Sequence, residues 1–252
     1  RPVNPPFIPK DYNGVGSYQR TFTVPENWKD LNVTLHFGGV SSVFQVWLNG
    51  EFLGYGEDSF LPSEFTISPY LKAGENVLSV QVIRWGDGSY LEDQDHWRVS
   101  GIQREVFLMA EPKLRIQDFF YQTKLDKRYE DAIFQLRPKL ENLTGDNKVY
   151  DYSFEVQLYD AKNQPLFKEA LKKTVKDIMN ESYPRLDNVR FGMFKETIKK
   201  PLKWSAENPN LYTLAMVLKD SKGQITEVKS CKVGFRSIEF SKENGKMLLN
   251  GK

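Results

Sequence analysis

The sequence predicts an all-β protein built from two antiparallel β-sandwiches. Short runs of residues alternate between apolar and polar side chains with a period of two, which is typical of strands that bury one face. Turn signals rich in Gly, Pro, Asn and Asp separate these runs at spacings of roughly ten residues. No helical periodicity extends beyond about three turns. Together, these observations favour sandwiches over helical or mixed folds.

The first group of strands is predicted between residues 18 and 109. Residues 31–37 alternate strictly between apolar and polar side chains. Two further runs are separated by Asn49-Gly50, the strongest short signal for a hairpin. The strands predicted here cover residues 18–24, 31–37, 43–48, 51–55, 65–67, 77–85 and 105–109.

A second group of strands follows the short stiff break at residues 110–112. We predict strands at residues 152–158, 212–218 and 224–233, which again alternate in polarity. Residues 167–179 fit either a strand or a short helix, since Leu171 and Val175 are four residues apart. Because the neighbouring segments are all β, we predict a strand.

The spacing of these groups predicts three segments. Residues 1–112, with long loops, suit a jelly-roll sandwich that is truncated at its N-terminus, and residues 113–236 suit an immunoglobulin-like sandwich. In the last segment, residues 237–252, an apolar strand starts within residues 246–252 and then stops at a turn signal. With no signal peptide before Arg1, this abrupt end predicts that the chain is a piece of a longer protein.

Composition excludes several classes of function. The formal net charge is +2, so charge implies neither nucleic acid nor an acidic membrane surface as a partner. The longest apolar runs are too short to cross a bilayer. Two histidines and the single Cys231 are too few for a structural zinc site, and Cys231 is predicted to be a small buried hydrophobe.

The stretch from Asp87 to Arg98 carries the most chemistry in the chain. It connects two predicted strands and contains Glu92, Asp93, Asp95 and a histidine, without apolar periodicity. Long polar connections on a rigid scaffold are where binding groups tend to lie. We therefore expect the functional site at this loop.

Structural roles compete with functional ones in this region. Glu92 and Asp93 fit turn hydrogen bonds or ion pairs with Arg84 or Arg98, and His96 fits a packing role. Tyr90 and Trp97 are able to stack on a sugar ring, but aromatics of this kind more often anchor a loop to the core. Three further tryptophans are interpreted as core residues: Trp47, Trp85 and Trp204.

Several stretches, in the same order along nearly the whole chain, resemble one family. In the first sandwich these are residues 39–50 (GVSSVFQVWLNG), 54–65 (GYGEDSFLPSEF) and 84–102 (RWGDGSYLEDQDHWRVSGI). In the second they are residues 204–212 (WSAENPNLY), 233–236 (VGFR) and 248–252 (LLNGK). The chain resembles the N-terminal sugar-binding and immunoglobulin-like domains of the β-galactosidases of glycoside hydrolase family 2.

The resemblance implies two substrate-binding residues. Asp95, the second Asp of the Glu-Asp-Gln-Asp run, would reach the active site beside galactose and a bound sodium ion. An ionised carboxylate accepts hydrogen bonds from sugar hydroxyls and ligates hard cations. Ser41 stands where the family has an Asn that points at the same site, and its hydroxyl is shorter than that amide.

The resemblance also implies what the chain lacks. Both catalytic glutamates would lie in a (β/α)₈ barrel after Lys252, so the chain has no catalytic residue and no cofactor of its own. Sodium and magnesium ions are expected in the full-length enzyme, together with a β-galactoside substrate and assembly as a homo-oligomer. No nucleic acid or membrane partner is expected, and the compartment stays open between bacterial cytoplasm and periplasm.

Two hypotheses from different classes follow. The chain is either the accessory part of a retaining β-galactosidase or a free-standing carbohydrate-binding or adhesion module. Fold alone does not separate them, because both kinds of sandwich serve many functions.

Overall fold

The computed structural model describes residues 7–92, 97, 99–180, 193–243 and 245–252. The chain divides into two compact units, Arg1–Pro112 and Lys113–Lys252. The described residues of both units form antiparallel sheets joined by turns and very short helices. The predicted all-β class, a jelly-roll sandwich followed by an immunoglobulin-like sandwich, is confirmed.

The first unit contains a four-stranded sheet, a three-stranded sheet and a two-stranded pair within its described residues. Its elements are β1 (Val15–Thr23), β2 (Asn32–Phe37), β3 (Val40–Ser41), β4 (Val43–Leu48), β5 (Glu51–Gly56), β6 (Ser63–Thr66), β7 (Glu75–Ile83), α1 (Gly88–Leu91), β8 (Gly101–Ile102) and β9 (Val106–Glu111). The strand orders are β1-β7-β4-β5, β6-β2-β9 and β3-β8.

The two larger sheets of this unit bury the apolar residues that alternate along their strands. The rings of Phe37 on β2 and Phe44 on β4 lie 5.1 Å apart and join the sheets across the core. Each fully buried side chain of this size contributes roughly 1.5–3 kcal/mol relative to an exposed one. The buried core consists of Val33, Leu35, Phe37, Val40, Phe44, Val46, Leu48, Ile67, Leu78, Val80 and Val82.

The predicted hairpin forms between β4 and β5. Leu48 pairs with Glu51, and the two turn residues have positive φ values of 55° at Asn49 and 90° at Gly50. This is the backbone that a two-residue turn needs to match the twist of its strands, and Asn and Gly adopt it most easily. The Asn-Gly prediction is confirmed.

The second unit contains two larger sheets and one small hairpin within its described residues. Its elements are β10 (Leu114–Leu125), β11 (Ala132–Asn142), β12 (Ser153–Tyr159), β13 (Leu171–Thr174), α2 (Val175–Met179), β14 (Phe194–Ile198), β15 (Tyr212–Lys219), β16 (Ile225–Val233), β17 (Ile238–Phe240) and β18 (Met247–Leu249). The strand orders are β10-β11-β14, β13-β12-β15-β16 and β17-β18. Phe154 of β12 and Phe194 of β14 lie 5.7 Å apart and join the two larger sheets.

The prediction of one strand over residues 167–179 is confirmed only for residues 171–174, which form β13. Strand β13 stops at Thr174, whose hydroxyl accepts a hydrogen bond from the Asp177 amide and caps the helix α2. Val175 and Ile178, three residues apart, are buried in the core. A Thr with an acidic residue three positions later is a helix-start signal, and it outweighs the β context here.

The prediction of three core tryptophans is confirmed only for Trp85, which is 8% exposed. Trp47 and Trp204 are half-buried. Trp47 alternates with the buried Val46 and Leu48, so it lies on the outer face of β4, in contact with Phe52. No helix among the described residues is long and apolar enough to cross a membrane.

Candidate functional site

A small polar pocket of about 40 Å³ lies in the first unit, where the chain leaves β7. It gathers residues that are far apart in sequence: the β3 strand, the turn after β5 and the stretch around α1. Its lining includes Ser41, Ser42, Ser59, Glu92 and Trp97. Convergence of hydroxyls, a carboxylate and an exposed aromatic ring suits a small hydroxylated ligand.

Ser41 is held at this pocket by a short strand pair. Val40 pairs with Ile102 and Ser41 pairs with Gly101, while the buried Val40 anchors β3 to the core. Gly39 lets the turn after β5 approach closely, because a Cβ there would lie 3.1 Å from the Ser59 carbonyl oxygen. The Ser41 side chain is therefore placed by backbone pairing and close packing.

Ser59 links this strand to the loop after β7. Its hydroxyl lies 2.6 Å from Glu92 Oε2 and 3.1 Å from Ser41 Oγ, and its backbone N–H donates to Glu92 Oε1 at 3.2 Å. Ser59 is only 3% exposed, and Arg104 steadies the same turn by donating to the Phe60 carbonyl at 2.9 Å. These contacts connect three separate stretches of chain into one polar cluster.

A second pair of serines lies beneath the cluster. The hydroxyls of Ser42 and Ser89 are 2.9 Å apart, both residues are buried, and the Gly86 N–H donates to Ser89 Oγ at 3.1 Å. A Cβ on Gly86 would collide with Cγ2 of Val43, so only glycine fits there without a shift. The start of the loop is thus packed tightly against β4.

The segment before β1 clamps the other side of the loop. Asn13 and Trp85 form two reciprocal hydrogen bonds, each 2.9 Å long, between the Asn13 amide and the Trp85 backbone. The Tyr90 hydroxyl donates to the Phe7 carbonyl at 2.7 Å. The loop base is therefore fixed both by the N-terminal segment and by the serine pair.

Acidic groups lie near this end of the first unit. The hydrogen bond to Glu57 raises the pKa of Tyr55 to about 12, with smaller contributions from burial and from the charges of Glu57 and Asp87. The Tyr55 phenol therefore stays protonated through the physiological range and remains a hydrogen-bond donor.

The structure places one of the two predicted substrate-binding residues. Ser41 lines the pocket, whereas Asp95 lies outside the described residues, as do Asp93, His96 and Arg98. Glu92 accepts hydrogen bonds, as one of its structural interpretations predicted, and Ser59 donates them.

The exposure of Trp97 differs from the sequence prediction, and the role of Ser59 in the pocket was not predicted. Trp97 does not anchor the loop to the core, because it is 93% exposed, and that prediction is wrong. Ser59 carries no chemical signal of its own in the sequence, although it lies within the family-like stretch at residues 54–65. Its contact with Glu92 spans 33 residues, and no local pattern indicates such a contact.

The described residues do not build a cation site. No group of three His, Cys, Asp or Glu side chains among them is arranged to hold a metal ion. Both carboxylate oxygens of Glu92 already accept hydrogen bonds from Ser59. The described part of the pocket therefore does not fit sodium or magnesium by itself.

The second unit has two larger grooves, of about 710 and 960 Å³. Both are open, and both are lined largely by sheet residues and lysines. Neither includes the hydrogen-bonded serine cluster or the loop after β7. We therefore regard the smaller pocket of the first unit as the functional candidate.

Family models match nearly the whole chain. Residues 1–112 match "Glycosyl hydrolases family 2, sugar binding domain", and residues 114–236 match "Glycosyl hydrolases family 2". The β-galactosidase of Priestia megaterium is 46% identical over 250 residues, and that of Psychromonas ingrahamii is 40% identical over 248 residues. These alignments cover 99% and 98% of this chain but 23% of each relative.

Solved structures agree with this match. A β-glycosidase from Bacteroides vulgatus superposes with a TM-score of 0.72 at 28% sequence identity. The match covers 95% of this chain and 28% of that chain. The chain thus spans about a quarter of the length of the proteins that it resembles.

Proposed function

The chain belongs to family 2 of the glycosyl hydrolases, and we propose that it is the non-catalytic N-terminal part of a β-galactosidase. The whole enzyme would hydrolyse terminal β-D-galactosides with retention of configuration. The chain would support the catalytic domain and complete its sugar site. Residues 237–252 would lead into the catalytic barrel.

One observation carries this proposal. The two β-galactosidases named above are 46% and 40% identical to this chain along almost its full length. Identity at this level extends over both units, so it is not explained by a shared sandwich fold alone.

The pocket itself supports a non-catalytic role. Retaining hydrolysis needs two carboxyl groups about 5–5.5 Å apart on opposite sides of the bond that breaks. Glu92 is the carboxylate that lines the described part of the pocket, and Ser59 engages both of its oxygens. Asp93 and Asp95 are only two residues apart in the sequence and would not bracket a sugar from two sides. We therefore assign both catalytic carboxylates to the remainder of the polypeptide.

Two residues of this chain would contribute to the sugar site. Asp95 would accept hydrogen bonds from galactose hydroxyls and ligate a sodium ion in the whole enzyme. Ser41 would contact the sugar with its hydroxyl. Magnesium binding and assembly into a homo-oligomer would likewise be properties of the whole protein.

Turnover of a chromogenic β-galactoside tests the proposal. The 252-residue chain alone should show no turnover, whereas the whole polypeptide should hydrolyse the substrate. Turnover by the chain alone would contradict the assignment of the catalytic groups. Galactose binding by a whole polypeptide that lacks hydrolysis would instead favour the carbohydrate-binding module.

A further inference from the structure

Asn250 and Gly251 form a tight turn that reverses the direction of the chain. Their φ values are 53° and 80°, close to the 55° and 90° of the Asn-Gly turn between β4 and β5. Leu249 and Lys252 exchange two backbone hydrogen bonds across this turn, 2.8 and 3.1 Å long. Two such bonds around a two-residue Asn-Gly loop mark the first pair of a β-hairpin. The backbone at Lys252 is therefore directed back along β18.

Strand β18 has one edge that no described strand covers. Its pairing with β17 uses the other edge, where the Asn250 N–H donates to the Ser237 carbonyl at 2.9 Å. Along a strand, the backbone groups of successive residues point to opposite edges. The N–H and C=O of Met247 therefore point away from β17, in the same direction as those of Leu249. An edge of this kind is a template for pairing with a further strand.

The hairpin of β17 and β18 also exposes an apolar face. Its register pairs Ile238 with Leu249 and Phe240 with Met247, so these four side chains lie on one face. Ile238 is 51% exposed, Phe240 is 74% exposed and Met247 is 65% exposed. Large apolar side chains grouped in this way on a surface are typical of a contact with another protein surface.

Polar contacts hold the hairpin in one orientation. Glu239 lies on the face opposite the apolar one, and its carboxylate accepts from the Tyr129 hydroxyl at 3.1 Å. Asn250 Nδ2 donates to the Trp204 carbonyl at 3.0 Å, and Asn250 Oδ1 accepts from the Ser237 N–H at 2.9 Å. These contacts fix the hairpin to the second unit and leave its apolar face and the open edge of β18 available to a partner.

We propose that the polypeptide following Lys252 returns along β18 as a third strand, and that the catalytic domain covers the apolar face of the hairpin. The pair of Leu249 and Lys252 sets the register. The first residue after Lys252 lies opposite Leu248, and the second lies opposite Met247.

The partner at this surface is further chain rather than a second copy of this one. The matched β-galactosidases are much longer, since the alignments cover only 23% of each of them. The turn at Asn250 and Gly251 also delivers any following residue directly to the open edge. The inference rests on the proposed function, because it needs a catalytic domain after Lys252.

A disulfide across the new strand pair tests this register in the whole polypeptide. Leu248 and the first residue after Lys252 would form a pair without backbone hydrogen bonds, with Cα atoms about 4.5 Å apart, which a disulfide can span. Leu248→Cys, combined with a cysteine at that next position in a Cys231→Ser background, should form the disulfide in most molecules. Hydroxylamine cleaves the Asn250-Gly251 bond between the two cysteines. The two pieces should therefore stay joined on a non-reducing gel and separate after reduction.

Met247→Cys with the same partner cysteine is the matched control. Its side chain lies on the opposite face from that of Leu248, so its Cβ points away from the partner and little disulfide should form. Equal yields for the two pairs, or no disulfide with Leu248→Cys, would overturn the inference. A disulfide that joins two polypeptides would do so as well, because a second copy would then lie at this edge.

Thiol labelling tests the cover on the apolar face without changing β18. Lys242 lies in the exposed loop that joins the two strands. In the whole polypeptide with Cys231→Ser, Phe240→Cys should react at least about 10-fold more slowly than Lys242→Cys, because a covered thiol reacts only through local opening. Equal rates would overturn the inference. Protection of Phe240→Cys that disappears on dilution would also overturn it, because a second copy would then cover the face.

Hydrolysis of a chromogenic galactoside by the same variants separates the two levels of the proposal. In a polypeptide that hydrolyses the substrate, a missing disulfide and an unprotected Phe240→Cys overturn this inference alone. In a polypeptide that does not, the proposed function fails, whereas the disulfide would still support the third strand.

Discussion

Replacing Asn76 with alanine should destabilise the first unit more than the small size of the Asn76 side chain suggests. Asn76 is fully buried, and its amide makes four hydrogen bonds. Its oxygen accepts from the Lys72 N–H and from Asn49 Nδ2, both at 2.9 Å. Its nitrogen donates to the carbonyls of Lys72 and Gly74, both at 3.1 Å. One side chain thus joins the turn before β7 to the hairpin turn of β4 and β5.

The expected loss follows from these contacts. Each hydrogen bond contributes about 1 kcal/mol net, so four bonds set an upper value of about 4 kcal/mol. Lys72 and Gly74 are exposed, so water can replace part of what they lose. Asn49 also keeps its bond to the Tyr70 carbonyl. We therefore expect a loss of about 2–3 kcal/mol in the free energy of unfolding.

Urea unfolding followed by tryptophan fluorescence measures this loss. In a Trp204→Phe background, the remaining tryptophans all lie in the first unit. Asn76→Ala should lower the urea midpoint by about 2 M, for a slope of about 1.2 kcal/mol per M. The control is Gln19→Ala, which removes an exposed side chain with one 3.4 Å hydrogen bond to Ser79 and should change little. An Asn76→Ala variant within about 0.5 kcal/mol of its parent would refute the reasoning.

Two further predictions concern packing and reactivity. Gly86→Ala should lower the stability of the first unit by about 1–3 kcal/mol, because the new Cβ collides with Val43. Gly14→Ala is the matched control, since nothing lies within 4 Å of a Cβ at that position. Equal losses of stability for the two variants in urea unfolding would contradict this account. Burial raises the pKa of the Cys231 thiol, so less of the thiol is ionised at pH 8. Because the thiolate is the reactive form, a disulfide reagent should modify Cys231 several-fold more slowly than free cysteine. Unfolding in urea should abolish that difference, and equal rates in the folded chain would show that the thiol is not shielded.

Local patterns predicted the strands because burial alternates with the sequence. In β15, Leu214, Met216 and Leu218 are buried and alternate with half-buried side chains, as their period of two indicates. The Asn49-Gly50 turn was predictable for a different local reason. Its backbone needs positive φ values at both positions, and Asn and Gly adopt them most easily.

The candidate site was less predictable because its contacts are distant in sequence. Ser59 meets Ser41 across 18 residues and Glu92 across 33, and neither contact leaves a periodic signal. The exposure of Trp97 was likewise not predictable from residue type, since an aromatic loop residue suits either packing or solvent. Ser41 was found only through the family resemblance, because a single serine after a glycine and a valine carries no chemical signal of its own.

The kinetics of Asp95→Asn in the whole polypeptide test the central proposal most directly. Asparagine keeps the size of the side chain but removes the negative charge, so contacts with sugar hydroxyls and with a cation weaken. We expect kcat/KM for a galactoside to fall by at least ~10-fold, equivalent to ~1.4 kcal/mol of transition-state stabilisation. An unchanged kcat/KM would show that Asp95 does not contribute to the sugar site.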